Sequence, residues 1–268
     1  MSTTVAPAKI NLALVVGPLR EDGKHEVATV LQRVALHDRI RVTPAHGLAV
    51  TGFGDTIVTA ALVALAATAG VEPAWLVEIE KAIPVAAGLG GGSSDAAAAV
   101  RLANDLLPEP LEPDDLHALA ATIGADVPFV LTSGTQLGSG DGSTLAPVDL
   151  PDDYAIVLLL PAGAVKVSTA DVYRAFDERH GAEGFAGRRE ELLRSLAAVR
   201  SARDLALLPP NDLASSPLAG RLVELGAFRA DVSGAGPCVY GLFDDLASAD
   251  DAAQALGTAG EVRVTRPA

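Results

Sequence analysis

The residues best equipped for chemistry lie in Pro84-Val-Ala-Ala-Gly-Leu-Gly-Gly-Gly-Ser-Ser-Asp-Ala96. Four of the five residues from Gly88 to Gly92 are glycine, which lets a backbone turn sharply and present successive N–H groups inward. Ser93, Ser94 and Asp95 precede an alanine run to Val100. That order predicts a helix start capped by a side-chain oxygen. A glycine loop feeding a helix N-terminus offers unpaired donors at the positive end of a dipole, an anion site for which phosphate is the usual occupant. The plain alternative is a flexible turn before an ordinary helix. A Walker A loop is excluded, because Gly92 is followed by Ser93-Ser94 with no lysine. A dinucleotide fingerprint is excluded too. Its third glycine falls on Ser93, and the preceding segment does not read as a buried parallel strand. In Trp75-Leu-Val-Glu-Ile-Glu-Lys81, Trp75, Val77 and Ile79 share one face and Glu78 and Glu80 the other, as in an antiparallel strand with one wet side.

Three further positions carry reactive side chains. Lys9 and Asn11 share one face of a strand predicted over Ala8 to Val16. Taken alone, Lys9 reads as an exposed edge-strand lysine. Asp126 follows a helix ending at Gly124 and precedes Val127-Pro128. It is either an Asx-turn residue or a carboxylate presented to a ligand. His25 follows the turn signal Asp22-Gly23 and reads equally as a ligand contact or a solvated side chain. His37, His46, His117 and His180 lack mutual metal-ligand spacing, and with Cys238 the only cysteine there is no zinc signature.

The elements that must hold these residues follow from periodicity. Strands are expected over 27–36, 39–43 and 48–51, then an Ala/Val/Leu helix capped by Asp55 or Thr56, the strand at 75–81, and the helix after the glycine loop to about Leu107. Asp114 and Asp115 begin another helix; the glycine-rich stretch 134–142 leads into a strand at 145–148. Pro151-Asp-Asp153 suggests a boundary between domains 1–150 and 151–268. The second half reads as strand 154–160, a helix capped by Ser168 or Thr169, an amphipathic helix at 188–200, a short helical region opened by Asn211, and then helix, strand, turn, strand, helix, strand to 265. This β-α-β-β-α-β order is ferredoxin-like. The formal charge of −14 argues against nucleic acid or an anionic membrane as partner. A lone cysteine and no leader-like apolar run fit a cytoplasmic protein.

These pieces resemble the small-molecule kinases of the galactokinase, homoserine kinase, mevalonate kinase and phosphomevalonate kinase (GHMP) superfamily. Three segments carry the resemblance: Ala6-Pro-Ala-Lys-Ile-Asn-Leu12, Ile83 to Ala96, and Val232-Ser-Gly-Ala-Gly-Pro237. Within the superfamily the chain is most similar, nearly end to end, to the kinases of a cytidyl-diphosphate-linked methylerythritol in non-mevalonate isoprenoid synthesis. Arg20-Glu-Asp-Gly-x-His-Glu26, Gly124 to Phe129, Val167 to Tyr173 and Asn211-Asp-Leu213 add to that match. The resemblance implies an α+β, two-domain fold with a mixed or antiparallel N-terminal sheet, a ferredoxin-like C-terminal domain and an active site in the cleft between them. It implies Lys9 and Asp126 as the phosphoryl-transfer pair. ATP phosphates would rest on Pro84, Gly88, Leu89, Gly90, Gly91, Gly92, Ser93 and Ser94, with Ser94 the protein oxygen nearest an ATP-borne Mg²⁺. Substrate contacts would fall on Asn11, Lys24, His25, Thr169 and Tyr173. A monomer or homodimer acting on a small alcohol is expected.

Three departures stand out. Lys24 occupies the place of a tyrosine that stacks on the cytosine ring in the family, Thr56-Ile57 replaces Asn-Leu, and Gly140-Asp-Gly-Ser143 lacks a glutamate. They leave open a superfamily kinase with another alcohol acceptor, or a catalytically inactive nucleotide-binding relative.

Overall fold

The computed structural model describes residues 2–54, 56–164 and 167–268. The expected cap at Asp55 lies outside the described residues, as does the side chain of Thr56. The chain divides into two compact units built from interleaved segments: Met1–Ala8, Leu36–Val85 and Gly90–Ser133 in the first, Lys9–Ala35, Ala86–Leu89 and Gly134–Ala268 in the second. The compact units therefore do not follow a single cut at 150/151.

Strands β1 (Ser2–Leu19) and β2 (His25–Pro44) pair with each other and run through both units. The expectation of two strands, 27–36 and 39–43, is corrected to one. Nothing in Leu36-His-Asp38 breaks a strand, and Asp38 alternates inward with Ile40 and Val42.

In the first unit, β4 (Trp75–Glu80) pairs antiparallel with β2 at 39–44 and parallel with the short β3 (Ala49–Thr51). The dry and wet faces of β4 are as the alternation predicts, with Trp75, Val77 and Ile79 buried and Glu78 and Glu80 exposed. Against the dry face pack α1 (Thr56–Ala69), α2 (Gly91–Asn104) and α3 (Pro113–Ile123), through Leu62 and Leu65, the alanines 96, 99 and 103, and Leu116 and Leu119. Alanine-rich faces let α1 and α2 pack closely. Helix α3 opens with Pro113, Asp114 and Asp115 in its first turn, where a missing N–H and negative charge are favourable. Helix α3 ends at Gly124 as expected, and Pro128 sits in the first turn of a short further helix, α4 (Val127–Leu131), with Asp126 at the N-cap position. A proline is at ease there because the first-turn N–H groups have no intrahelical acceptor.

In the second unit, β2 at 27–31 pairs with β5 (Thr135–Gly140), which pairs with β6 (Thr144–Val148). The glycine-rich stretch is thus largely strand. Gly138 is required there, since a Cβ would meet the Gly142 carbonyl and the Thr29 methyl at 3.0 Å. Strands β7 (Ala155–Pro161), β8 (Arg229–Val232), β9 (Val239–Phe243) and β10 (Gly260–Thr265) form a separate antiparallel sheet in the order β10-β7-β9-β8, the ferredoxin-like order expected. Helices α7 (Pro217–Glu224) and α8 (Leu246–Leu256) cover its Val157, Val239 and Phe243 face. Helix α5 (Thr169–Glu178) lays Phe176 and Val172 on Leu14, Val16 and Val27 of the β1–β2 hairpin, and α6 (Phe185–Ala198) follows. Asn211 opens no helix. It bridges to Leu14, and its side chain donates to the carbonyls of Val232 and Gly234 at 2.9 and 2.7 Å.

Candidate active site

The glycine loop is held on both flanks. In the second unit, Leu89 O accepts from Lys9 N at 2.9 Å, and Ala87 O from Cys238 N at 2.9 Å. Gly88 O accepts from Ser233 Oγ at 3.0 Å. Gly88 has φ +84°, and a Cβ on it would lie 2.4 Å from Ser233 O and 2.9 Å from Gly236 O. The motif at 232–237 therefore abuts the loop so closely that only glycine fits. In the first unit, Gly90 caps α2 in the left-handed conformation, φ 71°. This corrects the expected side-chain cap: a left-handed glycine ends the loop, and Ser93, Ser94 and Asp95 lie inside the helix. The first hydrogen bond of the helix runs from Ser94 N to Gly90 O at 2.9 Å, so helix geometry leaves the Gly91, Gly92 and Ser93 amides without intrahelical acceptors. All three residues are half-buried. Amide donors so placed at a helix N-terminus are able to receive an anion.

Ser94 Oγ donates to Pro7 O at 2.7 Å and the residue is 1 % exposed. It is a strut between β1 and α2. Among the described residues no group of three or more His, Cys, Asp or Glu side chains could hold a metal.

Lys9 is not the exposed edge lysine of the plain reading; it is buried. Its Nζ donates to Asn11 Oδ1 at 2.7 Å, Asn11 Nδ2 to Thr29 Oγ1 at 2.8 Å, and Thr29 Oγ1 to Ala13 O at 2.8 Å. Such a relay fixes the orientation of each member. A Cβ at Gly234 would be 3.4 Å from both Lys9 Nζ and Asn11 Oδ1. The glycine turn thus closes over the lysine from within the same unit. Thr29 escaped sequence reasoning because a strand threonine carries no signal of its own. Asp126 is half-buried, immediately before α4.

His25 is buried, and its Nε2 lies 2.8 Å from Asp177 Oδ1. A carboxylate only accepts, so Nε2 carries the proton. The ring lies 4.7 Å from that of Tyr173 at 31° and 6.0 Å from that of Phe176, edge on. The fold thus brings His25 and Tyr173 together and adds Asp177, which sequence reasoning missed. Thr169 is exposed in the first turn of α5; the cap is Ser168, whose Oγ accepts from Asp171 N at 3.1 Å.

Lys24, exposed at the tip of the β1–β2 hairpin, pairs through Nζ with Asp141 Oδ2 in the β5–β6 turn. Two of the three departures from the family pattern therefore meet in space. Burial would raise the Asp141 carboxyl, but the bonds from Lys24 and Ser143 outweigh it and hold it at about 2. The sign follows. A folded-state value below the ordinary 3.8 contributes stability above the ordinary value that is lost as pH falls towards 2. Thermal midpoints measured from pH 6 to 2 should fall less steeply on the acid side in Asp141→Asn than in the parent chain. Equal acid limbs would contradict the pairing.

Cys238 is buried, and burial pushes its thiol up to about 12, so it is no nucleophile.

The chain as a whole is similar to known proteins. The family model described as GHMP kinases N terminal domain matches residues 56–134, and the one described as GHMP kinases C terminal matches residues 190–262. The chain is 38 % identical over 290 residues to the 4-diphosphocytidyl-2-C-methyl-D-erythritol kinase of Leifsonia xyli subsp. xyli (strain CTCB07), covering 97 % of this chain and 94 % of the relative. It is 38 % identical over 284 residues to the kinase of the same name from Nocardia farcinica (strain IFM 10152), covering 98 % and 92 %. A crystal structure of 4-(cytidine 5'-diphospho)-2C-methyl-D-erythritol kinase superposes with a TM-score of 0.80 at 32 % identity, over 99 % of each chain. A mevalonate kinase shares the fold with a TM-score of 0.76 at 14 % identity.

Proposed function

Because the chain belongs to the GHMP kinases and, within them, to the 4-diphosphocytidyl-2-C-methyl-D-erythritol kinase family, we propose that it moves the γ-phosphoryl group of ATP to the hydroxyl of 4-diphosphocytidyl-2-C-methyl-D-erythritol, a step in isoprenoid precursor synthesis. The observation that carries this reading is the glycine loop entering α2 at a left-handed Gly90, within a chain 38 % identical to these kinases along nearly its whole length.

Phosphoryl transfer to an alcohol is mainly positioning and charge stabilisation. The loop from Pro84 to Ser94 receives the ATP phosphates, with the Gly91, Gly92 and Ser93 amides as donors. Asp126 accepts the alcohol proton. Lys9, oriented by Asn11 and Thr29, stabilises the negative charge that develops. A carboxylate is a weak base, which suffices when the transition state is loose and the proton leaves late. Magnesium bound to the nucleotide neutralises charge between the phosphates. The base of the acceptor rests on the His25–Tyr173 ring pair, whose packing supports the assignment. Thr169 contributes a hydroxyl at the start of α5. We assign nucleotide handling to 1–150 and acceptor binding mainly to 151–268, and place the enzyme in the cytoplasm as a monomer or homodimer without a nucleic-acid partner. Among the described residues no helix is long and apolar enough to cross a membrane.

A second reading, a different alcohol acceptor, is favoured by one observation. The Lys24 ammonium is engaged by Asp141 where the family stacks an aromatic ring. A panel of alcohols with Mg-ATP separates the two. We expect turnover of the cytidyl substrate, and a KM for it that falls roughly three- to ten-fold in Lys24→Tyr as a stacking face is restored. Turnover of another alcohol, with none of the cytidyl compound, would establish the second reading.

A further inference from the structure

The glycine loop has two stems, the incoming segment Lys81-Ala-Ile83 and the outgoing first turns of α2. Both are tied to one buried cluster. Lys81 Nζ donates to Asp38 Oδ2 at 2.5 Å and to Asp95 Oδ2 at 2.7 Å. Asp38 Oδ1 accepts from Ala82 N at 2.6 Å and Ile83 N at 2.8 Å. Both carboxylates are fully buried, and the lysine side chain is 16 % exposed. The ammonium also lies 3.3 Å from where a Cβ on Gly91 would stand, so it is packed against the first residue of the helix. The Phe53 ring centroid is 5.5 Å from it.

This arrangement is costly for a mere scaffold. Two acids share one cation away from water, and among the described residues Asp95 Oδ1 has no hydrogen-bond partner in its buried site. Apolar residues of similar volume commonly replace such clusters at no loss of stability. What they could not do is set a direction. Four directional bonds join β2, the segment that follows β4 and the start of α2 through this cluster. It thereby fixes the angle at which the Gly91, Gly92 and Ser93 amides leave the loop.

We propose that Lys81, clamped between Asp38 and Asp95, is a positioning residue that holds the stems of the phosphate loop in register before nucleotide arrives, and is not itself a phosphate ligand. Two of its three ammonium protons are directed at Asp38 and Asp95, and the Asp38 carboxylate offsets its charge, which leaves it little pull on a polyphosphate. Preorganised donors bind without a reorganisation cost, so loosening the clip should weaken phosphate recognition selectively. This inference rests on the loop being an ATP site.

The test uses the full chain and its Lys81→Met and Lys81→Arg variants, with affinities for ADP and for adenosine measured by calorimetry and KM for ATP by steady-state kinetics. Lys81→Met should bind ADP about ten-fold or more weakly and raise KM for ATP more than it lowers kcat. Adenosine, which has no phosphates, should bind within about two-fold of the parent value, and Lys81→Arg should recover much of the ADP affinity. Unchanged ADP affinity in Lys81→Met, or equal losses for ADP and adenosine, would overturn the proposal. If Lys81→Met does not fold, Asp38→Asn, which sets an amide N–H against the ammonium, carries the same comparison, with a selective loss for ADP supporting the clip and parental ADP affinity overturning it. A parent chain that binds no ADP would defeat the phosphate-loop reading itself, and this one with it.

Discussion

Asp126→Asn is expected to retain the fold and nucleotide affinity while turnover of the cytidyl substrate falls about a hundred-fold or more. The substitution is isosteric, and Asp126 is half-buried at a helix N-cap position, where asparagine serves as well as aspartate. The thermal midpoint should therefore stay within about 2 °C of the parent. What disappears is the ability to accept a proton. A loss confined to kcat, with KM for ATP unchanged, identifies an interaction made only in the transition state. Near-parental turnover would remove Asp126 from the base role. Lys9→Met should lose activity as well, and the Asn11 and Thr29 relay behind it predicts that Asn11→Ala gives a smaller loss of the same kind.

Gly88→Ala should have the largest effect on stability. Gly88 lies at φ +84°, and the added Cβ would stand 2.4 Å from the Ser233 carbonyl oxygen and 2.9 Å from that of Gly236. Both obstacles are backbone and cannot rotate away. Left-handed strain together with the displaced turn should cost on the order of 3 kcal/mol, a midpoint lower by roughly 10 °C. ATP binding should weaken in the same variant, since the loop cannot keep its path. Gly23→Ala is the control. Gly23 has a similar φ of +79° but nothing within 4 Å of its added Cβ, so it bears only the conformational strain of about 1 kcal/mol. Equal losses in the two variants would show that the contact with residues 233–236 contributes nothing.

These expectations draw on parts of the molecule that were legible to different degrees in the sequence. The glycine loop, the wet and dry faces of β4 and the ferredoxin-like order of the tail all follow from local spacing, where side-chain period and backbone geometry determine one another. Errors arose where tertiary context overrides a local signal. The long strand β2 passes through Asp38 because that carboxylate finds a lysine and two amides 43 to 45 residues away. Gly138 belongs to β5 because the sheet leaves a Cβ there only 3.0 Å from the Gly142 carbonyl oxygen and the Thr29 methyl. Pairings across the chain were not legible at all. Lys24 meets Asp141 at a separation of 117 residues and His25 meets Asp177 at 152, and no periodicity encodes such partners. Lys24 and the Gly140–Ser143 turn read as separate departures in sequence, yet they are one ion pair in space.

The proposed phosphoryl transfer is checked by following the reaction of the full chain with Mg-ATP and 4-diphosphocytidyl-2-C-methyl-D-erythritol by phosphorus NMR. A new phosphomonoester resonance should appear in step with ADP, one for one, and should be absent when either reactant is omitted. ATP consumed without a phosphomonoester, or no reaction with this acceptor while another alcohol is phosphorylated, would contradict it.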